Sequence, residues 1–161
     1  MKTLLRNLIF VAFGLFFANS SAFAAQWVYA QGTNAVLEYP GNTTSTAYKG
    51  WGLDFVEKAY TSNWVHSSIT TSGPYYQTRY IYVQYYKQYA SASIYSVNLY
   101  NGGTFVKTVY PTNSSTAGWQ SFQIDLGAFY TFYGLGVSMS VYPAYGYNTG
   151  FAIGNVAAYM Q

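Results

Sequence analysis

Apolar side chains fall on alternate positions through most of this chain, and a period of two is the mark of strands that turn one face to a core. In Arg79-Tyr80-Ile81-Tyr82-Val83-Gln84-Tyr85-Tyr86, the residues Ile81, Val83 and Tyr85 share a face. The run from Ile94 to Tyr100 places Tyr95, Val97 and Leu99 together, Asn101-Gly102-Gly103 supplies the positive-φ residues of a tight hairpin, and Phe105 to Val109 forms the returning strand. Trp119 to Leu126 groups Phe122, Ile124 and Leu126, and from Gly136 onward Val137, Met139 and Val141 oppose Ser138 and Ser140. Phe151 to Tyr159 reads as the closing strand, with Gly154 at the position of a bulge. Gly127 to Gly134 reads as a connection containing a single helical turn. Earlier in the chain the pattern is looser, with strand-like runs at Gln26 to Ala30, Ala35 to Tyr39, Leu53 to Lys58 and Asn63 to Ile69 between clusters of Gly, Asn and Thr. About nine short strands at this spacing predict an all-β fold, a single-domain two-layer antiparallel β-sandwich of jelly-roll-like form.

Only the amino terminus breaks the pattern. Lys2 and Arg6 precede an unbroken apolar run from Leu8 to Ala18, and Ala22-Phe23-Ala24 follows with small residues at the positions a signal peptidase reads. The run is shorter than the roughly 20 residues a membrane span needs, so residues 1–24 are expected to be a cleavable secretory signal, cut after Ala24 or Ala25. Residues 25–161 are then the single β-sandwich domain, secreted, periplasmic or at the cell surface, without a transmembrane helix in its mature form.

Charge and cysteine content narrow the chemistry. Beyond residue 24 the basic side chains are Lys49, Lys58, Arg79, Lys87 and Lys107 and the acidic ones Glu38, Asp54, Glu57 and Asp125, leaving a net charge of +1. No cluster of Lys and Arg is available to track phosphates, so nucleic acid is not an expected partner. The chain has no Cys, which removes disulfides, thiolate metal sites and cysteine nucleophiles. No Asp-rich loop or His-rich tract points to a metal, and no cofactor motif is present. Asn42-Thr43-Thr44 and Asn113-Ser114-Ser115 match the glycosylation acceptor pattern, but beside a bacterial-type signal they read as turn residues.

Catalysis has few residues to draw on. His66 is the only histidine, and it is expected to lie against aromatic or backbone groups with no Ser or Thr hydroxyl in reach. No Gly-x-Ser-x-Gly elbow occurs, and Asp54 and Glu57, three apart on a strand, point to opposite faces. All four acids read as surface charges. The chain is therefore expected not to be an enzyme.

Trp27-Val28-Tyr29, Val36-Leu37-Glu38-Tyr39-Pro40, Lys49-Gly50-Trp51-Gly52, Ser62-Asn63-Trp64-Val65-His66-Ser67-Ser68-Ile69, Val97-Asn98-Leu99-Tyr100-Asn101-Gly102 and Tyr133-Gly134-Leu135-Gly136-Val137-Ser138 occur in this order. Together they resemble small exported bacterial β-sandwich domains of unknown function, over roughly Trp27 to Tyr159. The resemblance implies the sandwich and brings no activity with it.

The 20 tyrosines, all beyond residue 24, are the chain's distinctive chemistry. Flat rings with a polar tip stack on sugar faces while amides and hydroxyls meet the sugar's own hydroxyls. Trp51 sits among glycines, and Tyr142, Tyr145 and Tyr147 punctuate a Gly- and Pro-containing loop. These four are the candidate ligand-binding residues, with a free glycan or envelope polysaccharide as the expected partner. Trp64 and Trp119 fit the core or its edges equally well. One alternative is a structural envelope or biofilm-matrix protein that self-associates through the Tyr-dense stretch Tyr75 to Tyr89. Another is a small outer-membrane β-barrel, against which stand strands shorter than the roughly 9–11 residues of a spanning strand.

Overall fold

The computed structural model describes residues 25–71 and 76–161, without the side chain of Tyr76. The expected signal at residues 1–24 and the start of the Tyr-dense stretch at Tyr75 lie outside the described residues. The rest is an antiparallel sandwich of two sheets, and no helix among the described residues is long and apolar enough to cross a membrane.

Eleven strands follow in order: β1 Gln26–Gln31, β2 Val36–Leu37, β3 Thr43–Lys49, β4 Gly52–Glu57, β5 Asn63–Ile69, β6 Tyr76–Lys87, β7 Ser93–Asn101, β8 Thr104–Val109, β9 Gly118–Phe132, β10 Leu135–Tyr142 and β11 Thr149–Met160. The first sheet runs β3-β4-β11-β6-β9, with β1 also paired to β11, and the second runs β2-β5-β10-β7-β8. β11 is the spine of the first sheet. Along one side it pairs with β6, and along the other its first half pairs with β4 and its second half with β1. Both sheets keep free edges, so the fold is not a closed barrel and that alternative is corrected.

The alternation read from the sequence is the alternation of burial. Ile81, Val83 and Tyr85 of β6, Phe122, Ile124 and Leu126 of β9, and Val137, Met139 and Val141 of β10 all enter the core, where Phe55 stacks on Phe151 at 5.6 Å. The hairpin from β7 to β8 turns at Gly102, whose φ is +57°. Gly154 is the extra residue of a bulge, because Ile153 pairs with Tyr85 and Asn155 with the very next residue of β6, Gln84.

Several expectations change. Tyr95 does not share a face with Val97 and Leu99: Ser140 pairs with Ser96 and Val141 with Ile94, so Tyr95 is the unpaired bulge residue and turns outward. Gly127 to Gly134 holds no helical turn. β9 runs on to Phe132 after an insertion of Leu126 to Phe129 opposite Arg79, in which Leu126 still enters the core and Gly127 to Phe129 turn outward, as the positive φ of Gly127 permits. β3 went unread because Thr-Thr-Ser-Thr-Ala-Tyr-Lys at a sheet edge has no buried face to impose alternation. Finally, β6 is an interior strand, so its tyrosines do not stand on an open edge.

Two charged side chains are interior. Lys87 is fully buried and donates to the carbonyls of Ala90, Ala92 and Ser114 at 2.7, 2.8 and 2.7 Å, and burial pushes its pKa down. Glu57, expected at the surface, is fully buried and accepts from Thr61 Oγ1 at 2.7 Å and Asn63 Nδ2 at 3.0 Å. Asp54 points the other way and stays half-exposed, as their spacing requires.

Candidate functional site

Strand parity sends one set of side chains from the first sheet into the core and the other set to its outer face. Outward go Trp27 and Tyr29 of β1, Tyr80, Tyr82, Gln84 and Tyr86 of β6, Trp119 and Gln123 of β9, and Asn155 and Tyr159 of β11. The outward positions on the spine between them are small. Ala152, Gly154 and Ala157 are buried yet do not belong to the core cluster, because the flanking rings cover them.

Small floor and tall walls make a track with two depressions. Trp51, Gln84, Trp119, Gly154 and Asn155 line one of ≈ 290 Å³. Trp27, Tyr29, Tyr82, Gln84 and Asn155 line the other, of ≈ 460 Å³. They adjoin at Gln84 and Asn155, joined by a 2.8 Å hydrogen bond from Asn155 Nδ2 to Gln84 Oε1. Among the described residues, the Gln84 Nε2 donor and the Asn155 Oδ1 acceptor have no side-chain partner and remain for a ligand.

The rings are held edge to face. Trp119 meets Trp51 at 5.3 Å and Tyr86 at 5.9 Å, and Trp27 meets Tyr159 at 5.5 Å and Tyr82 at 6.3 Å. Each ring is thereby fixed in place while part of its surface stays wet, with Trp119 50% and Trp51 46% exposed. Trp119 does not pack the core. It bends over the spine so that a Cβ added to Gly154 would stand 3.1 Å from its ring and 3.1 Å from Gln84 Oε1. The charged groups near the track are few: Asp54 is half-buried, and Asp125 is neutralised by Arg79 through contacts of 2.7 and 2.8 Å. That pairing, with the Gly127 backbone N–H, lowers the Asp125 pKa to about 2.

The structure separates the four residues singled out from the sequence. Trp51 belongs to the track, whereas Tyr142 and Tyr145 line a depression at one end of the sandwich. Tyr147 is exposed beside them and rests on Tyr89 at 5.5 Å. Sequence reasoning missed Trp27, Tyr82, Gln84, Trp119 and Asn155 as a group. The signal was present in the aromatic and amide residues alternating with core residues on β6, but only pairing with β11 reveals the small floor beside them.

Comparison with known proteins bears on the fold alone. A solved structure described as a low affinity xylan binding module, CBM86, from Roseburia intestinalis aligns with a TM-score of 0.54 at 13% identity, over 84% of this chain and 96% of that one. The fold matches that of a solved carbohydrate-binding module. A family 29 carbohydrate binding module from Piromyces equi gives 0.49 at 14% identity, over 84% of this chain and 91% of its own. The module CBM36, solved with calcium and xylotriose, gives 0.46 at 13%, over 83% and 98%. Both of these scores are too low to bear on the argument. No family model and no curated protein matches the chain, so the sequence resemblance to small exported sandwich domains stands for architecture and for no named family.

The second sheet overturns one expectation. His66 does meet a hydroxyl: its Nδ1 lies 2.8 Å from Ser138 Oγ, and its Nε2 lies 3.1 Å from Glu38 Oε2. The three are assembled by pairing, since Ser138 stands directly opposite His66 across β10 and β5, with Val36 of β2 on the other side. The Tyr39 hydroxyl, and then His66, hold the Glu38 carboxyl below its ordinary pKa. A triad of residue types is thus present, but an acyl-transfer site also needs backbone N–H groups aimed at the developing oxyanion. Ser138 is only 6% exposed and sits mid-strand on β10, whose backbone is engaged by β5 on one side and β7 on the other. Glu38, His66 and Ser138 form a polar cross-strand row, continued by Asn98 and by Thr108, whose hydroxyl donates to Asn98 Oδ1 at 2.7 Å.

Proposed function

We propose that this chain is an exported, non-enzymatic binding domain whose outer track on the six-stranded sheet holds a neutral glycan, either free or in an envelope polysaccharide. The observation that carries this reading is the pair of ring-walled depressions sharing one amide pair, Gln84 and Asn155. Rings supply apolar faces for the sugar's C–H surface, and the free amide groups meet its hydroxyls. Tyr82 and Tyr86 are four residues apart on one strand, about 13 Å, so the track is long enough for several sugar rings of an extended chain. No Lys or Arg lines either depression, and the nearby Arg79 is already paired with Asp125, which favours a neutral over an acidic polymer. The xylan-binding description of the similarly folded module supports xylan as the first probe.

Titration calorimetry with xylan, mannan, β-glucan and cell-wall fragments tests the proposal. Replacing Trp119 with Ala is expected to weaken the bound glycan about tenfold, ~1.4 kcal/mol, while leaving the fold intact. No heat from any member of the panel at millimolar sugar would sink it.

A further inference from the structure

A second surface of the same chemical kind stands at one end of the sandwich, built from loops rather than from a sheet face. Tyr60, in the turn between β4 and β5, has φ of +62°. A bulky aromatic residue in the left-handed region is strained, and such strain persists where the surroundings impose it. Gly or Asn would sit there at lower cost, yet the position carries a ring that is 72% exposed. That ring meets Tyr145, itself 85% exposed, edge to face at 5.3 Å and 88°. Beside the pair lies a depression of ≈ 620 Å³ lined also by Asn42, Ser62, Ser91 and Tyr142.

The loops that hold these rings are tied to one another. Lys58 Nζ donates to Gly41 O at 2.6 Å, Asn42 Nδ2 to Ser62 O at 2.9 Å, and the Ala59 backbone N–H to Asn148 Oδ1 at 2.9 Å. Beneath them the buried carboxyl of Glu57, at the end of β4, holds Thr61 within the turn and Asn63 at the start of β5. On the β10 loop, the Ala144 N–H donates to Thr149 Oγ1 at 2.9 Å and the Tyr147 N–H to Ala144 O at 3.0 Å. The exposed rings are therefore presented by a pre-organised frame, which lowers the ordering cost of binding. Tyr142 extends the apolar surface sideways through Tyr95, at 5.6 Å, to Tyr110, at 5.6 Å.

We infer that this end, centred on Tyr60 and Tyr145, is a second carbohydrate site, so that one chain holds two glycan strands and cross-links them. The inference rests on the proposed glycan-binding reading and adds a site to it. The two sites are independent in space: Thr149 at the loop end and Asn155 in the track are six residues apart on β11, roughly 20 Å, and the loop end faces along the strands whereas the track faces outward. The chemistry is the same at both, exposed rings beside neutral amides and hydroxyls, with Asn42, Ser62 and Ser91 as the polar partners at the loop end.

The test uses the mature chain with a neutral hexasaccharide, taking xylo-, manno- and cellohexaose in turn, and the matching soluble polysaccharide. Two sugars per chain are expected in calorimetry, and the polysaccharide solution is expected to thicken or precipitate as protein is added. Tyr145→Ala and, separately, Tyr60→Gly should each leave one sugar per chain and abolish cross-linking. Tyr60→Gly is the variant that discriminates, because it relieves the strained backbone and should fold at least as stably as the parent. At a sugar concentration just sufficient to fill both sites of the parent, Trp119→Ala should likewise leave one site filled, its own being weakened about tenfold, and combining it with Tyr145→Ala should leave neither filled. A single site lost with Trp119→Ala and untouched by Tyr145→Ala would overturn the second site while leaving the track standing. A single site lost with Tyr145→Ala alone would overturn the track and the cross-linking together. Silence from every hexasaccharide would end both.

Discussion

Glu57 shows how one residue ties the core to the loop surface. Its carboxyl is fully buried, and desolvation raises its pKa above the ordinary carboxylate value despite hydrogen bonds from Thr61 and Asn63 that favour the charged form. In the folded state the group therefore holds its proton to higher pH than in the unfolded chain. Its contribution to stability is full below about 4.5, the unfolded value, and falls as the pH rises through the raised folded value. Glutamine imitates the protonated form, donating to Thr61 Oγ1 through its amide while its carbonyl accepts from Asn63. Thermal melts of Glu57→Gln are accordingly expected to lack the parent's loss of stability on going from pH 4 to pH 7, and to match or exceed the parent at pH 7. A variant clearly less stable than the parent at pH 7 would show that the ionised carboxylate is the form the loops need.

At the scale of elements, the polar row across β5, β10, β7 and β8, joined by Glu38 just after β2, shows how strand pairing by itself produces a Ser-His-Glu contact. Cross-strand neighbours on one face meet by geometry alone, and His66, Ser138 and Asn98 are direct partners in the ladder. Replacing His66 with Gln should cost about 1 kcal/mol, through loss of the hydrogen bond to the buried Ser138, and should leave sugar binding unchanged because the track lies on the other sheet. A fluorophosphonate probe should leave Ser138 unlabelled, and a covalent adduct found there by mass spectrometry would reinstate a hydrolase. The same scale accounts for the outward loop in β9, whose flank is clamped by Arg79 and Asp125. Because Asp125 is held near 2, that clamp is fully present above about 3.8 and is lost as the pH falls through its folded value.

For the whole molecule, the decisive matter is where the edges lie. The Tyr-dense β6 is enclosed between β11 and β9, while the open edges are β1, β3 and β9 in one sheet and β2 and β8 in the other. Of these, β9 is the longest and carries its own protection: it is broken by the loop from Leu126 to Phe129, and Lys107 of β8 donates to the Leu126 carbonyl at 3.0 Å. Edge-to-edge stacking through β9 is thereby disfavoured. Light scattering over a concentration series is expected to show one unchanging monomer mass without sugar, and a mass that climbs with concentration would favour the self-associating alternative.

Local pattern by itself determined the fold class, because alternation on β6, β9 and β10 leaves only one face of each able to reach a core, and it placed the hairpin at Asn101 to Thr104 and the bulge at Gly154. It also marked Trp51, Tyr142, Tyr145 and Tyr147 as rings left near solvent, which they are. Tertiary structure alone decided which rings meet. Trp27, Gln84, Trp119 and Asn155 come from four strands spread over most of the chain, and they form one surface only because β11 lies between β1 and β6 with Ala152, Gly154 and Ala157 beneath them. The same holds for buried Glu57 and for His66 with Ser138, 72 residues apart in sequence and 2.8 Å apart in space. Strand parity is a local property that a sequence carries in each segment, whereas strand order is a property of the closed core, and the surfaces described above are made by strand order.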